Sequence, residues 1–314
     1  MAIGQKYYRI TDWFRTCNQD KVMLTFKQLN EITPLPNSAY SVRQLWSNSG
    51  QSFSNSWLSA GFKVCRISMD EQWVEFERIG IPSKTSKKNI DTDALDELLA
   101  CGTMCIDTVL DDPNHRYRSW EYCYKVFNAP CGGSQKQLDY LALHLAWYLA
   151  SWGMLRNSFL QDKDYKIHIP VVAILLDSRW DSLRGITADK MADAVQAAKV
   201  MELAELITQT YERCAGGTPT DTLLTKILLG TIGCVPAYDR FFKESVRKMG
   251  VASGILGTKS IMQLGCFYIE NQESMELLRR MCPTENVVYP PAKIIDMCFF
   301  GYGVKHDKGN KEGD

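Results

Sequence analysis

The chain has 314 residues, of which 45% are hydrophobic and 23% are charged, and its 36 Lys and Arg balance its 36 Asp and Glu. This composition excludes an intrinsically disordered chain, and the length suffices for two domains, because domains usually span about 50–200 residues. No run of about 18 uncharged apolar residues is present, and the first residues, MAIGQKYYRITDWF, lack the apolar centre of a signal peptide. We therefore expect a soluble, cytoplasmic protein that does not associate with a membrane.

Positive charge is concentrated in the N-terminal part of the chain. Residues 1–90 hold 12 Lys and Arg against 7 Asp and Glu, so their net charge is +5 and that of the remaining residues is −5. A polyanion such as a nucleic acid would meet the N-terminal part first. An imbalance of this size is also common on an ordinary solvated face, so charge alone leaves nucleic-acid binding open.

The 11 cysteines are irregularly spaced. Cys101 and Cys105 are the closest pair, separated by one helical turn, and no second Cys or His pair accompanies them as a zinc site requires. We therefore predict buried free thiols. The sequence indicates neither a metal nor a cofactor, because it has no P-loop, no dinucleotide-binding glycine pattern and no H-E-x-x-H motif.

Residues 1–80 have the pattern of a small α+β module. A helix is predicted from about residue 5, and Thr25 with Gln28 has the spacing of a capping box at the start of a second helix, FKQLNEI. After Gly61 the apolar residues alternate with period two on both sides of a Met-Asp-Glu turn. This alternation predicts a β-hairpin that ends in WVEFER.

Several segments of this module together resemble a small uncharacterised domain found at the ends of bacterial nuclease-like and defence-associated proteins. They are LTFKQLNEI, LPNSAY, LWSN, SWLSAGFKV and WVEFER. The resemblance implies an accessory module that binds nucleic acid. Arg43 and Lys63 are then candidate contacts to the DNA backbone, because basic side chains bind phosphates. The nearby Trp46, Trp57 and Trp73 either stack on bases or form the core of the module.

A larger helical region follows the module. Residues 81–92 are polar, rich in lysine and without an apolar period, which is typical of a linker. From residue 93 to residue 304 the apolar residues recur at helical spacing, with start signals such as Thr220 and end signals such as Gly250. We therefore predict an all-α domain over 93–304 and a flexible tail over 305–314.

The segment TKILLGTIGCVPAYDRFF, residues 225–242, interrupts an apolar helix with two glycines. It predicts a tight corner, with a new helix starting near Pro236. This pattern resembles a helix-hairpin-helix, in which the glycines let backbone amides approach a DNA phosphate, so Gly230 and Gly233 are candidate contacts to the DNA backbone. A glycine corner that serves only helix packing is the alternative.

The same segment resembles relatives of the helix-hairpin-helix base-excision DNA glycosylases. Lys226, Pro236 and Asp239 match a K-x-L, P-x-x-D pattern of bacterial relatives. The resemblance implies that Asp239 stabilises the positive charge that develops on the sugar C1′, with Lys226 as a possible assisting group. Lys226 precedes the corner instead of following it, so a monofunctional hydrolytic mechanism is favoured over a lyase. The alternative is that Asp239 only complements a helix dipole.

A polar segment, residues 156–168, follows a strongly apolar helix. The candidate residues of a pocket for an extruded base are Trp152, Arg156, Asn157, Tyr165 and Tyr238. His168 is a second possible assisting group, whereas His144 fits a core position. Arg116 and Arg118 belong to the basic and aromatic stretch NHRYR and are further candidate contacts to the DNA backbone.

Together these patterns predict a DNA glycosylase-like enzyme that excises a base, such as a modified cytosine, from the double-stranded DNA of a phage or another foreign source. One alternative is a DNA-binding or anti-defence interaction protein without enzymatic activity. A second is an RNA-cleaving toxin or effector with His144, His168 and Arg156 as its acid and base groups.

Overall fold

The computed structural model describes residues 7–17, 19–48, 53–58, 60–78, 90–129, 134–283 and 287–309. The chain divides into two compact units, the first comprising residues 1–85 with 193–199 and the second residues 86–192 with 200–314. A small sheet with helices comes first along the chain, and a larger helical region follows. The predicted layout of an α+β module before an all-α region is therefore confirmed. The predicted linker lies outside the described residues as far as residue 89.

The first unit is built on a three-stranded antiparallel sheet. Its elements are α1 (Tyr8–Thr16), β1 (Lys21–Thr25), α2 (Phe26–Ile32), two 3₁₀ turns (Asn37–Tyr40 and Arg43–Trp46), α3 (Asn55–Leu58), β2 (Phe62–Ser68) and β3 (Trp73–Arg78). The strand order is β1-β3-β2. The predicted hairpin is thus confirmed as β2 and β3, and β1 pairs with the other edge of β3.

The start of α2 follows from local sequence. The hydroxyl of Thr25 accepts the backbone N–H of Gln28 at 3.2 Å, and the Gln28 side chain accepts the backbone N–H of Thr25 at 2.8 Å. Two amides at the helix N-terminus, which have no partner within the helix, are satisfied in this way. The predicted capping box is confirmed.

Aromatic side chains form the core of the first unit. Trp46 and Trp57 are only 2% and 1% exposed, and the Trp46 ring stacks on Phe26 with 4.7 Å between the ring centroids. The indole N–H of Trp46 donates to the carbonyl of Ala39 at 2.9 Å, so the polar edge of this buried ring has a partner. For Trp46 and Trp57 the prediction that they form the core of the module is therefore correct, and neither ring is available to stack on a base.

Beyond residue 90 the described residues form helices joined by turns and loops, with no strand among them, and residues 194–199, at the start of one helix, belong to the first unit. The helices that follow residue 90 are α4 (Thr92–Asp111), α5 (Arg118–Asn128), α6 (Gln135–Ser151), α7 (Ile169–Leu175), α8 (Ala188–Ala192), α9 (Ala194–Ala215), α10 (Asp221–Thr231), α11 (Arg240–Lys248), α12 (Thr258–Glu270), α13 (Gln272–Met281) and α14 (Pro291–Gly309). α14 packs along α4 and against α11. It continues to Gly309, so residues 305–309 of the predicted tail are helical.

The glycine corner lies between α10 and α11. Gly233 has φ +75°, a left-handed conformation that favours glycine, and its N–H donates to the carbonyl of Leu228 at 2.8 Å, as in a helix C-cap. The next helix, however, begins at Arg240 and not near Pro236 as the sequence predicts. Asp239 is therefore the N-cap residue of α11 and does not lie within its first turn.

Candidate active site

Asp239 is fixed at the N-terminus of α11. One oxygen of its carboxylate, Oδ1, accepts the backbone N–H of Phe242 at 3.0 Å, which is the usual role of an aspartate at the N-cap. Its other oxygen, Oδ2, accepts a hydrogen bond from Nζ of Lys226 at 3.2 Å. Lys226 comes from α10, so the corner brings the two charged groups together across 13 residues of sequence.

This ion pair is buried against an aromatic ring. The Lys226 and Asp239 side chains are 5% and 14% exposed, and Nζ of Lys226 lies 4.4 Å from the ring centroid of Trp152. A cation on an aromatic face is attracted by the quadrupole of the ring, and more strongly when water is excluded. The structure thus places three sequence-predicted site residues, Trp152, Lys226 and Asp239, in one cluster.

Trp152 follows the last residue of α6 and is held from its other side by Tyr117. The two rings are stacked, with centroids 5.2 Å apart and an interplanar angle of 8°. The guanidinium of Arg116, an exposed residue, lies 5.4 Å from the Trp152 ring. The indole Nε1 of Trp152 is buried and has no hydrogen-bond partner among the described residues, which makes the ring costly to bury unless another group reaches it.

A second buried ion pair supports the corner from α14. Nζ of Lys293 donates to Oδ2 of Asp296 at 2.9 Å, and both side chains are less than 10% exposed. Oδ1 of Asp296 accepts the backbone N–H of Ala237 at 3.0 Å, two residues before Asp239. Lys293 also lies 5.9 Å from the Trp152 ring, so both lysines face the same indole.

A third pair joins the start of α5 to the segment before α14. Arg118 donates to Glu121 at 3.1 Å, and the hydroxyl of Tyr289 donates to the other oxygen of Glu121 at 2.5 Å. Burial, together with the charge of Glu121, raises the pKa of Tyr289 far above its ordinary value, so this hydroxyl remains a donor. Arg118 is largely buried by these contacts, and the structure therefore does not present it to a DNA backbone.

We call these three ion pairs the charge cluster: the lysines of two pairs face Trp152, and the third pair is bonded to Tyr289, which lines a cavity together with Trp152. Its members are Lys226, Asp239, Lys293, Asp296, Arg118 and Glu121. A small cavity of about 20 Å³ lies beside it, lined among others by Trp152, Lys293, Asp296 and Cys105. Burial raises the pKa of the Cys105 thiol to about 11, so Cys105 is neutral here. A cavity of this size holds about one water molecule, and no nucleotide fits it as it stands.

The remaining residues of the predicted base pocket do not join Trp152. The phenol of Tyr165 donates to Asp139 at 3.1 Å, and the phenol of Tyr238 is buried and bonded to Ser260 at 2.7 Å. Arg156 folds back over Gly153, and Asn157 is an exposed residue at φ +55°. The predicted pocket is thus dispersed, and the hydroxyls of Tyr165 and Tyr238 have their hydrogen-bond partners elsewhere in the helical unit.

The two corner glycines are also placed differently from the prediction. Gly230 and Gly233 are both buried. A methyl group on Gly230 would overlap the ring of Tyr148, and one on Gly233 would lie 2.7 Å from the ring of Tyr124. Glycine is required here for the close approach of aromatic rings, so neither amide faces solvent where a DNA phosphate could bind. Of the two alternatives for this corner, helix packing is the one that the burial supports.

The two histidines predicted as acid and base groups of an RNA-cleaving toxin are both removed from water to some degree. His168 is 2% exposed, its Nδ1 is bonded to the hydroxyl of Tyr211 at 2.6 Å, and desolvation lowers its pKa to about 4. Burial also lowers the pKa of His144, whose ring contacts Tyr140. No hydrogen bond or ion pair among the described residues connects either histidine with Arg156 or with Asp239.

The candidate DNA contacts of the first unit are accessible. Arg43 is exposed, and Lys63 forms an exposed ion pair with Glu77 at 3.4 Å. Glu77 is also paired with Lys21 at 3.3 Å. The positive charge of Lys63 is thus partly compensated within the sheet.

Sequence reasoning missed a basic face on the helix that Asp239 caps. α11 carries basic residues at Arg240, Lys243, Arg247 and Lys248. Arg240, Arg247 and Lys248 are exposed and Lys243 is half-buried, whereas Phe242, Ser245 and Val246 are buried. The signal was present in the spacing of Arg240, Lys243 and Arg247, which places them on one side of a helix. Lys293 and Asp296, three residues apart in α14, were missed as well.

Three special features are absent from the described ranges. No helix there combines the length and apolar character that a membrane crossing requires. The ten cysteines of the described part of the chain are free thiols; Cys101 and Cys105 are buried, as predicted, whereas Cys65 and Cys214 are exposed, so the prediction of burial is wrong for these two. No group of three or more His, Cys, Asp or Glu in that part could hold a metal ion.

Comparison with known proteins concerns the first unit alone. No curated protein and no solved structure matches the chain. One family model, described as a domain of unknown function (DUF7662), matches residues 7–79. The N-terminal module of this chain is therefore similar to an uncharacterised domain family over the same stretch that its sequence segments indicate.

Proposed function

We propose that the helical region hydrolyses the bond between a base and its sugar in DNA, with Asp239 as the carboxylate that stabilises the developing sugar cation. One observation carries the proposal: Asp239, only 14% exposed, is paired with the buried Lys226, which faces Trp152, at the start of a helix with a basic outer face. The carboxylate that would face C1′ thus lies next to the basic residues that would bind the flanking phosphates.

The burial of the charges favours a functional role. Burying an ion pair in place of apolar residues of similar volume is often neutral or unfavourable for stability, because both charges lose their hydration. Clusters of buried titratable groups therefore occur preferentially at functional sites. Here the lysines of two such pairs, Lys226 and Lys293, face the same indole ring of Trp152.

The proposed reaction breaks the C1′–N bond of a nucleotide and forms a C1′–O bond with water. The base departs with the bonding electrons and is protonated, and the water gives up the matching proton. The carboxylate of Asp239 would stabilise the positive charge on C1′ in the transition state. Because the cavity beside Trp152 holds about one water molecule, an extruded base has to displace the Trp152 ring from Tyr117.

The basic face of α11 supports DNA as the substrate. Phosphates of a strand can bind to Lys243 and Arg247, and to Arg240 in exchange for its ion pair with Asp307, while the nucleotide between them faces Asp239. The exposed Arg116 lies over Trp152 and extends the positive surface. The N-terminal module, with Arg43 and Lys63, would add affinity as a tethered second contact. DNA with modified cytosines, as in a phage genome, is the substrate class to test first.

The test measures base release from duplex oligonucleotides that contain cytosine, hydroxymethylcytosine or glucosylated hydroxymethylcytosine. Released bases are identified by mass spectrometry, and abasic sites are revealed as strand breaks after alkali. Asp239→Asn keeps the N-cap hydrogen bond, because Asn caps helices as well as Asp does, and should lower the rate by about a hundredfold or more. Asp177→Asn is the matched control, because Asp177 also caps a helical turn, at the surface.

Unchanged base release by Asp239→Asn would reject the role of this carboxylate. If no oligonucleotide loses a base but all are retained at low salt, the helical region is a DNA-binding protein without enzymatic activity. A specific observation favours that second candidate: each acid of the charge cluster already has a basic partner. Retention that declines steeply with salt and weakens in Arg247→Ala would then support binding through α11.

A further inference from the structure

A second cavity, of about 250 Å³, opens beside α6 and is lined by Leu143, Trp147, Leu160, Lys163, Tyr165 and His168, among other residues. No member of the charge cluster lines it. Its volume is just below the roughly 300–1,000 Å³ typical of pockets for drug-sized ligands, so a molecule of one or two rings fits. Most of its wall is apolar, and its polar side chains include Lys163, Asp164, Tyr165 and His168.

An exposed indole forms one side of this cavity. Trp147 is 67% exposed, and Tyr140 and Leu143, which precede it by seven and four residues on α6, are exposed as well. These three side chains share one face of the helix. A contiguous exposed apolar face with a large aromatic ring is unusual on a protein surface and marks a binding surface. A flat ring is the shape that stacks best on it.

One buried hydrogen-bonding group lines the cavity. His168 is 2% exposed, and its Nδ1 is bonded to Tyr211. Its Nε2 has no hydrogen-bond partner among the described residues. Because desolvation lowers the pKa of His168 to about 4, the ring is neutral at physiological pH. Nε2 can thus offer a ligand one hydrogen bond, as donor or acceptor according to the tautomer.

One positive charge is available at the rim. Lys163 is exposed and forms no ion pair within the described ranges. The neighbouring carboxylate of Asp164 is already engaged as a cap, since it accepts the backbone N–H of Lys166 at 2.7 Å. The phenol of Tyr165 is likewise bonded to Asp139. An ammonium group of this kind binds a phosphate as a point charge.

We infer that this cavity binds a nucleobase that carries a phosphate. The base stacks on Trp147, its edge forms a hydrogen bond with Nε2 of His168, and its phosphate lies at Lys163. A nucleotide combines a flat ring, a hydrogen-bonding edge and an anionic group in so small a volume. The inference does not depend on chemistry at Asp239, because the two sites share no residue.

The experiment is titration calorimetry on the full chain with AMP, GMP, CMP and UMP, and with adenosine and inorganic phosphate as ligand fragments. Trp147→Ala removes an exposed side chain, so folding is preserved, and it should weaken binding of the nucleotides by about tenfold or more. Lys163→Ala should weaken AMP binding but leave adenosine binding unchanged. Tyr122→Ala, which removes an exposed aromatic ring from α5, is the matched control and should change neither.

Two sources of the ligand are distinguished by adding a five-residue single-stranded oligonucleotide. Tighter binding of AMP than of the oligonucleotide identifies a free nucleotide as the ligand, and the reverse identifies a strand. Either result supports the inference if Trp147→Ala also weakens that binding by about tenfold or more. The inference is overturned if no nucleotide and no oligonucleotide binds at millimolar concentration, or if Trp147→Ala binds them as well as the unchanged protein does.

Discussion

The two units differ in where they place their ion pairs. In the first unit the interior consists of aromatic and aliphatic side chains, and the described ion pairs, such as Lys63 with Glu77, lie at the surface of the sheet. The second unit has exposed pairs as well, such as Lys305 with Glu97, but the three pairs of the charge cluster are largely buried. The same residue types thus have different energetic roles in the two units.

The difference between exposed and buried ion pairs indicates which charged groups have a role other than stabilising the fold. An exposed ion pair is worth little, because water and salt screen it and both side chains lose conformational freedom. A buried pair is costly to form but also costly to break, because the remaining charge has no water to solvate it. The first unit therefore derives its stability from apolar packing, whereas the second tolerates expensive groups in its interior. Such tolerance is expected where the groups have a task beyond folding.

The largest effect is expected from removing one partner of a buried pair. Asp296→Leu leaves the ammonium of Lys293 unpaired and deprives the backbone N–H of Ala237 of its acceptor. We expect the free energy of unfolding of the helical unit to fall by about 3–5 kcal/mol. Urea unfolding combined with hydrogen exchange and mass spectrometry measures this loss in each unit separately.

The control for this variant is a second change that restores charge balance. Lys293→Met with Asp296→Leu removes both charges and retains side-chain volume, so most of the lost stability should return. A double variant as unstable as Asp296→Leu would instead assign the cost to the lost hydrogen bond of Ala237. The hydrogen exchange of the first unit should be unchanged in both proteins.

A smaller effect is expected from acid, again in the helical unit alone. The pKa of His168 is lowered to about 4 from an ordinary value near 6.5, so the unfolded chain binds a proton more readily than the folded one between these values. Stability is therefore complete above pH 6.5 and is lost as the pH falls toward 4. From pH 7 to pH 5 the helical unit should lose about 2 kcal/mol.

His168→Gln tests this assignment, because Gln can still bond to Tyr211 but does not titrate. Its stability should change much less between pH 7 and pH 5, with His144 contributing the remaining slope in the same direction. The first unit has no histidine, so its hydrogen exchange, corrected for the intrinsic effect of pH, provides the internal reference. An equally steep loss in His168→Gln would mean that other groups titrate in this range.

The features that sequence could predict depend on near neighbours in the chain. The capping box of Thr25 and Gln28, the hairpin of β2 and β3 and the helical spacing beyond residue 90 are all local patterns. The approach of Lys226 to Asp239 is also predictable, since a glycine corner returns the chain on itself within 13 residues. Local geometry fixes these features before any long-range packing is known.

The features that sequence could not predict depend on distant partners. Asp296 reaches the corner from 59 residues away, and Tyr165 is bonded to Asp139, 26 residues before it. Neither partner is marked by a pattern, so Tyr165 was assigned to a base pocket and Asp296 was overlooked. The burial of Gly233 under Tyr124 is a third case, because the same glycine pattern occurs at exposed and at packed corners.

The smallest effect is expected from an ion pair of the first unit. Lys63→Ala removes one of two lysines that contact Glu77, and Lys21 remains 3.3 Å from that carboxylate. Because all three groups are exposed to water and salt, the urea midpoint of the first unit should stay within experimental error of the unchanged protein. Lys27→Ala, which removes an exposed lysine from α2, is the matched control. A loss for Lys63→Ala as large as that for Asp296→Leu would show that ion pairs support both units alike. In that case the buried charges of the helical unit would no longer set it apart, and the argument from their cost to a functional site would fail.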